Sequence, residues 1–306
     1  MVRRRCATVA AVTAVLAAGA TAEAEAATRQ ATCTAVGPRT IAYRTIPGVA
    51  ANLTSLDLYL PRGACRARHG RAPVVVWVHG GGYAVGDKSQ QVAAKVRLFT
   101  AARGWIFASV NYRLSRAGDP SSARFPDHYD DVAAAVAWLR RHIAARRGDP
   151  SRIALLGHSA GADIVSNVAV NPRYLAARGQ PLTALRCFAP LDTAGFDKAR
   201  ASAQEQRQWR VALGNEPTYV TSTSATLLVR AGIGIPPALT VFRGTPRRIA
   251  IEQGFAAALR GVGVPATLVD ARTLTHNQVN QRIGAPGDTV MTPPLLRFLT
   301  GCFARR

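Results

Sequence analysis

Six consecutive apolar residues at 73–78 (PVVVWV) constrain the fold more than any other feature of the chain. A strand with one face in water alternates apolar and polar side chains with a period of two. This run offers no polar position, so both of its faces must be covered. Strands of that kind belong to parallel sheets layered between helices. Similar apolar runs recur at 105–110, 152–156, 185–189, 238–242 and 266–269. Residues 55–60 read differently, because Leu56, Leu58 and Leu60 alternate with Ser55, Asp57 and Tyr59 as in a half-buried strand.

Helical patterns fall between these runs. In 126–147 the residues Val132, Val136, Leu139 and Ile143 recur at spacings of four, three and four, with Gly148 placed to end the helix. Further helices are expected after Ala160 and over 201–213, 249–260 and 289–303, the last with Pro293 and Pro294 near its start, where proline is tolerated. Alternating β and α segments predict an α/β fold: a mostly parallel central sheet, helices on both faces and an antiparallel N-terminal edge. No repeat or low-complexity linker divides the chain, so 27–306 reads as a single domain.

The first 26 residues are set apart. Arg3, Arg4 and Arg5 precede an apolar run from 7 to 20, followed by small residues with the A-x-A site Ala24-Glu25-Ala26. That order predicts a secretory signal peptide and a secreted or cell-envelope location; the apolar run is shorter than the ~20 residues that span a bilayer. Beyond Cys6 in this leader, Cys33, Cys65, Cys187 and Cys302 remain. An even number in an exported chain favours disulfides, and the pairing expected is Cys33–Cys65 with Cys187–Cys302, with buried free thiols as the alternative. The cysteines match no zinc spacing, and no metal or cofactor is expected.

The net charge is +22 in 306 residues, and only Lys88, Lys95 and Lys198 are lysines. A field of this sign favours weak association with anionic surfaces or acidic substrates. The arginines are scattered, however, with no aromatic-interleaved basic strip, so a nucleic-acid partner is not expected.

Gly157-His158-Ser159-Ala160-Gly161 stands between a strand ending at Leu156 and a helix opening at Ala160. A sharp strand-to-helix turn lifts a serine hydroxyl above the sheet, and the helix N-terminus beneath favours developing negative charge. His79-Gly80-Gly81-Gly82 follows the run PVVVWV. Its glycines free backbone N–H groups which, with that of Ala160, can bind an oxyanion. The base follows by elimination. His79 and His158 belong to these motifs, His69 precedes the central strand, and His128 and His142 lie on the long helix. His276 remains, in a loop after the last strand.

HGGG, Phe125-Pro126 with Asp130-Asp131, the stretch DPSRIALLGHSAG and the late THNQVNQ segment resemble bacterial α/β-hydrolases of the carboxylesterase, feruloyl-esterase-like and kynurenine-formamidase-like groups, over roughly 73–303. The resemblance implies the α/β-hydrolase fold and a cofactor-free serine hydrolase acting on a small-molecule ester, with Gly81, Gly82 and Ala160 as oxyanion donors. An N-formyl arylamine is the amide alternative, and a binding protein with weakened catalysis is the non-enzymatic one.

One departure stands out. In the groups it resembles the acid follows the next-to-last strand, where this chain has Gly244-Thr245-Pro246-Arg247-Arg248. Asp192, directly after the run LRCFAPL and so one strand earlier, is the best-placed substitute, since such triads are defined by roles and distances. D-T-A-G is equally good turn chemistry. Glu252 and Asp270 are the other candidates. The segment 196–235 is expected to lie over the C-terminal edge of the sheet and shape the acyl pocket.

Overall fold

A computed structural model describes residues 34–62, 70–214 and 218–305. The expected signal segment 1–26, Cys33 and Cys65 lie outside them. Eight strands form one sheet: β1 (Thr34–Ala42), β2 (Ser55–Arg62), β3 (Ala72–Val78), β4 (Ile106–Val110), β5 (Gly148–His158), β6 (Cys187–Leu191), β7 (Ala238–Phe242) and β8 (Ala266–Asp270). Their order is β1-β2-β4-β3-β5-β6-β7-β8. The β1–β2 and β2–β4 pairs at one edge are antiparallel and the other pairs are parallel. This is the α/β-hydrolase architecture that the sequence predicts.

The run PVVVWV explains the layering. Val74, Val76 and Val78 point into one apolar cluster, Val75 and Trp77 into the other, and none is more than 1% exposed. The first cluster is closed by Val132, Val136 and Leu139 of α1 (Asp127–His142), Ile164 and Val168 of α2 (Ala160–Val170) and Phe255 and Leu259 of α4 (Pro246–Gly261). The second is closed by Leu295, Leu299 and Phe303 of α6 (Thr292–Ala304) with Phe99 and Trp105. Each large side chain so buried contributes about 1.5–3 kcal/mol. Two further helices border the site: α3 (Ala203–Leu213), with a Ser202/Glu205 capping box, and the short α5 (His276–Gln281), capped by Thr275 and Gln278.

The structure departs from expectation at four places. α1 stops at His142 and passes through a 3-10 turn to Arg147, whose φ of 63° ends it one residue before Gly148. β2 is buried on both faces, because Asp57 is covered by Thr40 and Lys88 and Tyr59 packs on Phe107. β8 is the outer edge strand and buries only Val269, so its apolar composition overstated its cover. Cys187 on β6 and Cys302 on α6 are buried in the same apolar cluster, but both are free, so the expected bridge is not formed here.

Strand register sets what emerges at the C-terminal edge. Val78 pairs with Gly157 across β3–β5, and His158 pairs with Leu191 across β5–β6. The glycine loop, Ser159 and Asp192 therefore leave the sheet from neighbouring strands at one level.

Candidate active site

Ser159 stands at the turn between β5 and α2 with φ 58° and ψ −120°, a conformation that non-glycine residues rarely adopt. The surroundings hold it there. Its N–H donates to Leu191 O at 3.1 Å, and Ala162 and Asp163 N–H donate to its carbonyl. Gly161 allows the close approach of β3, since a Cβ there would sit 2.3 Å from Val78 O. Gly81, at φ 112°, admits no side chain either: a Cβ would fall 1.9 Å from Val85 O. The loop then closes through Ala84 and Val85 N–H to Gly81 O. Among the described residues the amides of Gly81 and Gly82 have no acceptor, and that of Ala160 is the first of its helix, so none is spent.

His276, the first residue of α5, spans the site. Its Nε2 lies 2.9 Å from Ser159 Oγ and its Nδ1 2.7 Å from Asp192 Oδ2. Two contacts fix the ring. His158 packs against it at 4.5 Å between centroids, and His158 Nε2 lies 2.8 Å from the His276 carbonyl oxygen. Burial, then the neighbouring His276, lowers the His158 pKa to about 3, so that ring is neutral and its N–H donates to the carbonyl. From below, the buried Lys95 Nζ donates to Asn280 O near the far end of α5 and to Gln91 O, both at 3.0 Å.

Asp192 is fully buried, with φ 61°. Burial alone would raise its pKa; the hydrogen bond and charge of His276 and the charges of Arg248 and Arg243 outweigh it and hold the carboxyl well below the usual carboxylate range. Arg243 Nη1 reaches Oδ2 at 2.9 Å and Arg248 Nη2 reaches Oδ1 at 2.5 Å. The segment after β7, where the acid was missing, thus supplies the cations that hold the substitute. Glu252 does not reach the ring: it accepts from Arg243 N–H at 2.9 Å and from Arg248 at 3.2 Å. Burial, then the Asp192 charge, pushes its pKa up to about 9. Asp270 lies on the surface, paired with Arg272.

Ligand atoms of His158, Asp192 and His276 lie within 4.8 Å of one another, a spacing that a metal ion could use. They are already engaged, however: both His276 nitrogens are committed to Asp192 and Ser159, and His158 Nε2 to a carbonyl.

Sequence reasoning missed one buried cluster. Lys198, fully buried, donates to Asp163 Oδ1 at 2.5 Å, and Tyr83 and Tyr129 hydroxyls donate to Asp163 Oδ2 at 2.5 and 2.8 Å. Tyr83 directly follows Gly82, so α2 anchors the glycine loop through Asp163. Nothing local in the sequence marks it; that all three lysines of this arginine-rich chain are buried is seen only in the fold.

Two cavities meet at Ser159 and His276. One, of about 390 Å³, is bounded by Tyr83, Trp209, Gln208, Glu205 and the arginines 243, 247 and 248. The other, of about 310 Å³, is bounded by Trp77, Val85, Gln90, Gln91, Asn277 and Asn280. The expected covering segment supplies Glu205, Gln208 and Trp209 of α3 to the first.

The family model described as BD-FAE matches residues 56–218, more than half of the chain. Probable carboxylic ester hydrolase LipM of Mycobacterium tuberculosis is 40% identical over 103 residues, 34% of this chain and 22% of that protein. Secreted lipase 5 of Gibberella zeae is 36% identical over 117 residues, 35% of this chain and 22% of that protein. The chain thus spans about a fifth of the length of the curated relatives it matches. Esterase B of Lactobacillus rhamnosis superposes with a TM-score of 0.68 over 95% of each chain at 20% identity, a likeness of fold.

Proposed function

The chain belongs to the BD-FAE family, and from that premise we propose that it is a serine hydrolase of small acyl or aryl carboxylic esters, working through an acyl-enzyme. One observation carries the reading: His276 bridges Ser159 Oγ and the buried Asp192 in a cavity faced by unspent backbone amides. In the first step Ser159 Oγ attacks the ester carbonyl while His276 Nε2 takes the hydroxyl proton. The imidazolium so formed faces the Asp192 carboxylate. Charge on the carbonyl oxygen falls to the amides of Gly81, Gly82 and Ala160 beside the N-terminus of α2, an arrangement in which each donor is worth about 3–4 kcal/mol. As the tetrahedral species collapses, His276 returns the proton to the leaving alkoxide. Water then repeats the sequence to free the acid.

The completed Ser–His–Asp geometry supports a working enzyme over a weakened binding scaffold. The 2.7 Å His276–Asp192 contact meets the distance such an orienting pair needs. The test is a panel of p-nitrophenyl esters, feruloyl esters and formylated aromatic amines with wild type and Ser159→Ala. The wild type is expected to turn over esters, and Ser159→Ala to lose that activity while melting as wild type does. Near-wild-type turnover by the variant sinks the assignment; hydrolysis confined to the formylated amines gives the amide reading instead.

The leader-like segment 1–26 supports export as part of the same reading. Among the described residues no helix is long and apolar enough to cross a membrane. N-terminal sequencing of protein recovered from the medium is expected to begin near residue 27, and retention of Met1 rejects it.

A further inference from the structure

The larger cavity in front of Ser159 carries an unbalanced charge. Arg243, just after β7, and Arg247 and Arg248, in the first turn of α4, stand on its wall, and among the described residues the acids paired with them are Asp192, Glu205 and Glu252. Arg248 is consumed, binding Asp192, Glu205 and Glu252 at 2.5, 2.8 and 3.2 Å. Arg243 spends Nη1 on Asp192 and Nε on Leu274 O. Arg247 is held only through Nη1, to Arg200 O at 2.9 Å and Glu205 Oε2 at 3.3 Å. That Glu205 oxygen is itself committed to Ser202 N and Oγ, both at 2.7 Å.

The sum is positive. Asp192 and Glu205 are carboxylates kept below the ordinary range, whereas Glu252 is protonated at neutral pH, with its pKa at about 9. Three guanidinium groups therefore meet two negative charges. The surplus is most accessible at Arg247, whose side chain is 40% exposed, against 15% for Arg248 and 19% for Arg243. Nε and Nη2 of Arg247 have no partner among the described residues, a fork suited to a carboxylate. Thr245, the N-cap of the 16-residue α4, adds a positive helix end on the same wall.

We infer that the ester cleaved at Ser159 carries a second, free carboxylate on the part that enters this cavity, where Arg247 binds it. The inference rests on the hydrolase reading above and narrows its substrate class to half-esters of dicarboxylic acids or esters of hydroxy-acids. Trp209 and Tyr83 line the same cavity and offer it aromatic surface.

Two pairs of compounds test it, each an anion against its methyl ester. Mono-4-nitrophenyl adipate carries the charge on the acyl side, and 4-acetoxybenzoate carries it on the alcohol side. In at least one pair kcat/KM is expected to favour the anion by about fivefold, the size of one partly exposed ion pair on a ligand. Arg247→Gln is expected to collapse that ratio toward one, Arg247→Lys to keep most of it, and added salt to reduce it. Preference for the neutral ester in both pairs, or a ratio indifferent to Arg247→Gln, overturns the inference while leaving the hydrolase standing. Failure to cleave any of the four compounds or the ordinary p-nitrophenyl esters removes the hydrolase reading and this one together.

Discussion

Asp192 shows how much one carboxylate depends on its neighbours. It is fully buried, and a lone buried carboxylate would protonate; two arginines and His276 keep it ionised. Asp192→Asn keeps the shape but cannot hold the imidazolium or its tautomer, so kcat is expected to fall about 10³- to 10⁴-fold with KM little changed. A stopped or steady-state ester assay reads this directly, and a loss below tenfold would remove Asp192 from the triad. Glu252, behind it, carries the opposite consequence. Its folded pKa of about 9 lies above the unfolded value of about 4.3, so the native state binds the extra proton between them. The stability it contributes is complete below about pH 4 and is lost as pH rises toward 9. Glu252→Gln removes the titration, so its stability relative to wild type is expected to improve from pH 5 to pH 8 in urea melts. A difference that stays constant with pH would mean that Glu252 is ionised in the fold.

At the scale of elements, β6 and α6 bring Cys187 and Cys302, both free, into one buried apolar cluster. In an oxidising compartment they are expected to join, with Cys33 and Cys65 as the other pair, and to raise stability by a few kcal/mol through the constraint on the unfolded chain. Non-reducing peptide mapping of exported protein checks both pairs, and four free thiols there would count against bridge and export alike. The elements also show what could be read beforehand. PVVVWV announced a strand covered on both faces because burial leaves no polar position, and the G-x-S-x-G turn announced itself by lying between a strand and a helix. β8 misled because an edge strand can be as apolar as a central one. The acid was the weakest point: the residue that reaches His276 follows β6, and nothing local in D-T-A-G separates that role from a turn. What marks it is a pair of arginines, one just after β7 and one in the first turn of α4, a relation between residues some fifty positions apart that register alone brings together. The Lys198–Asp163–Tyr83 cluster escaped for the same reason, since each member reads singly as an ordinary surface residue.

For the whole molecule the dominant quantity is charge. Removing residues 1–26 takes away three arginines and two glutamates, so the net charge of +22 changes by one and belongs almost wholly to residues 27–306. Many of the acids present are used at short range, as in the Asp131 pair with Arg44 and Arg113 and the Asp192 bracket. The remaining cations repel one another across the surface, which destabilises the compact state. The two interactions respond differently to salt. Contacts at about 3 Å in partly buried places are weakly screened, whereas repulsion acting over 20–30 Å falls away once the Debye length shortens from about 30 Å at 0.01 M to about 10 Å at 0.1 M. Moderate sodium chloride is therefore expected to raise Tm between those concentrations, where a protein stabilised mainly by exposed ion pairs would melt earlier. Calorimetry at fixed pH and scan rate decides it. A Tm that falls over this interval would mean that the surface arginines are paired closely enough to cancel their own repulsion.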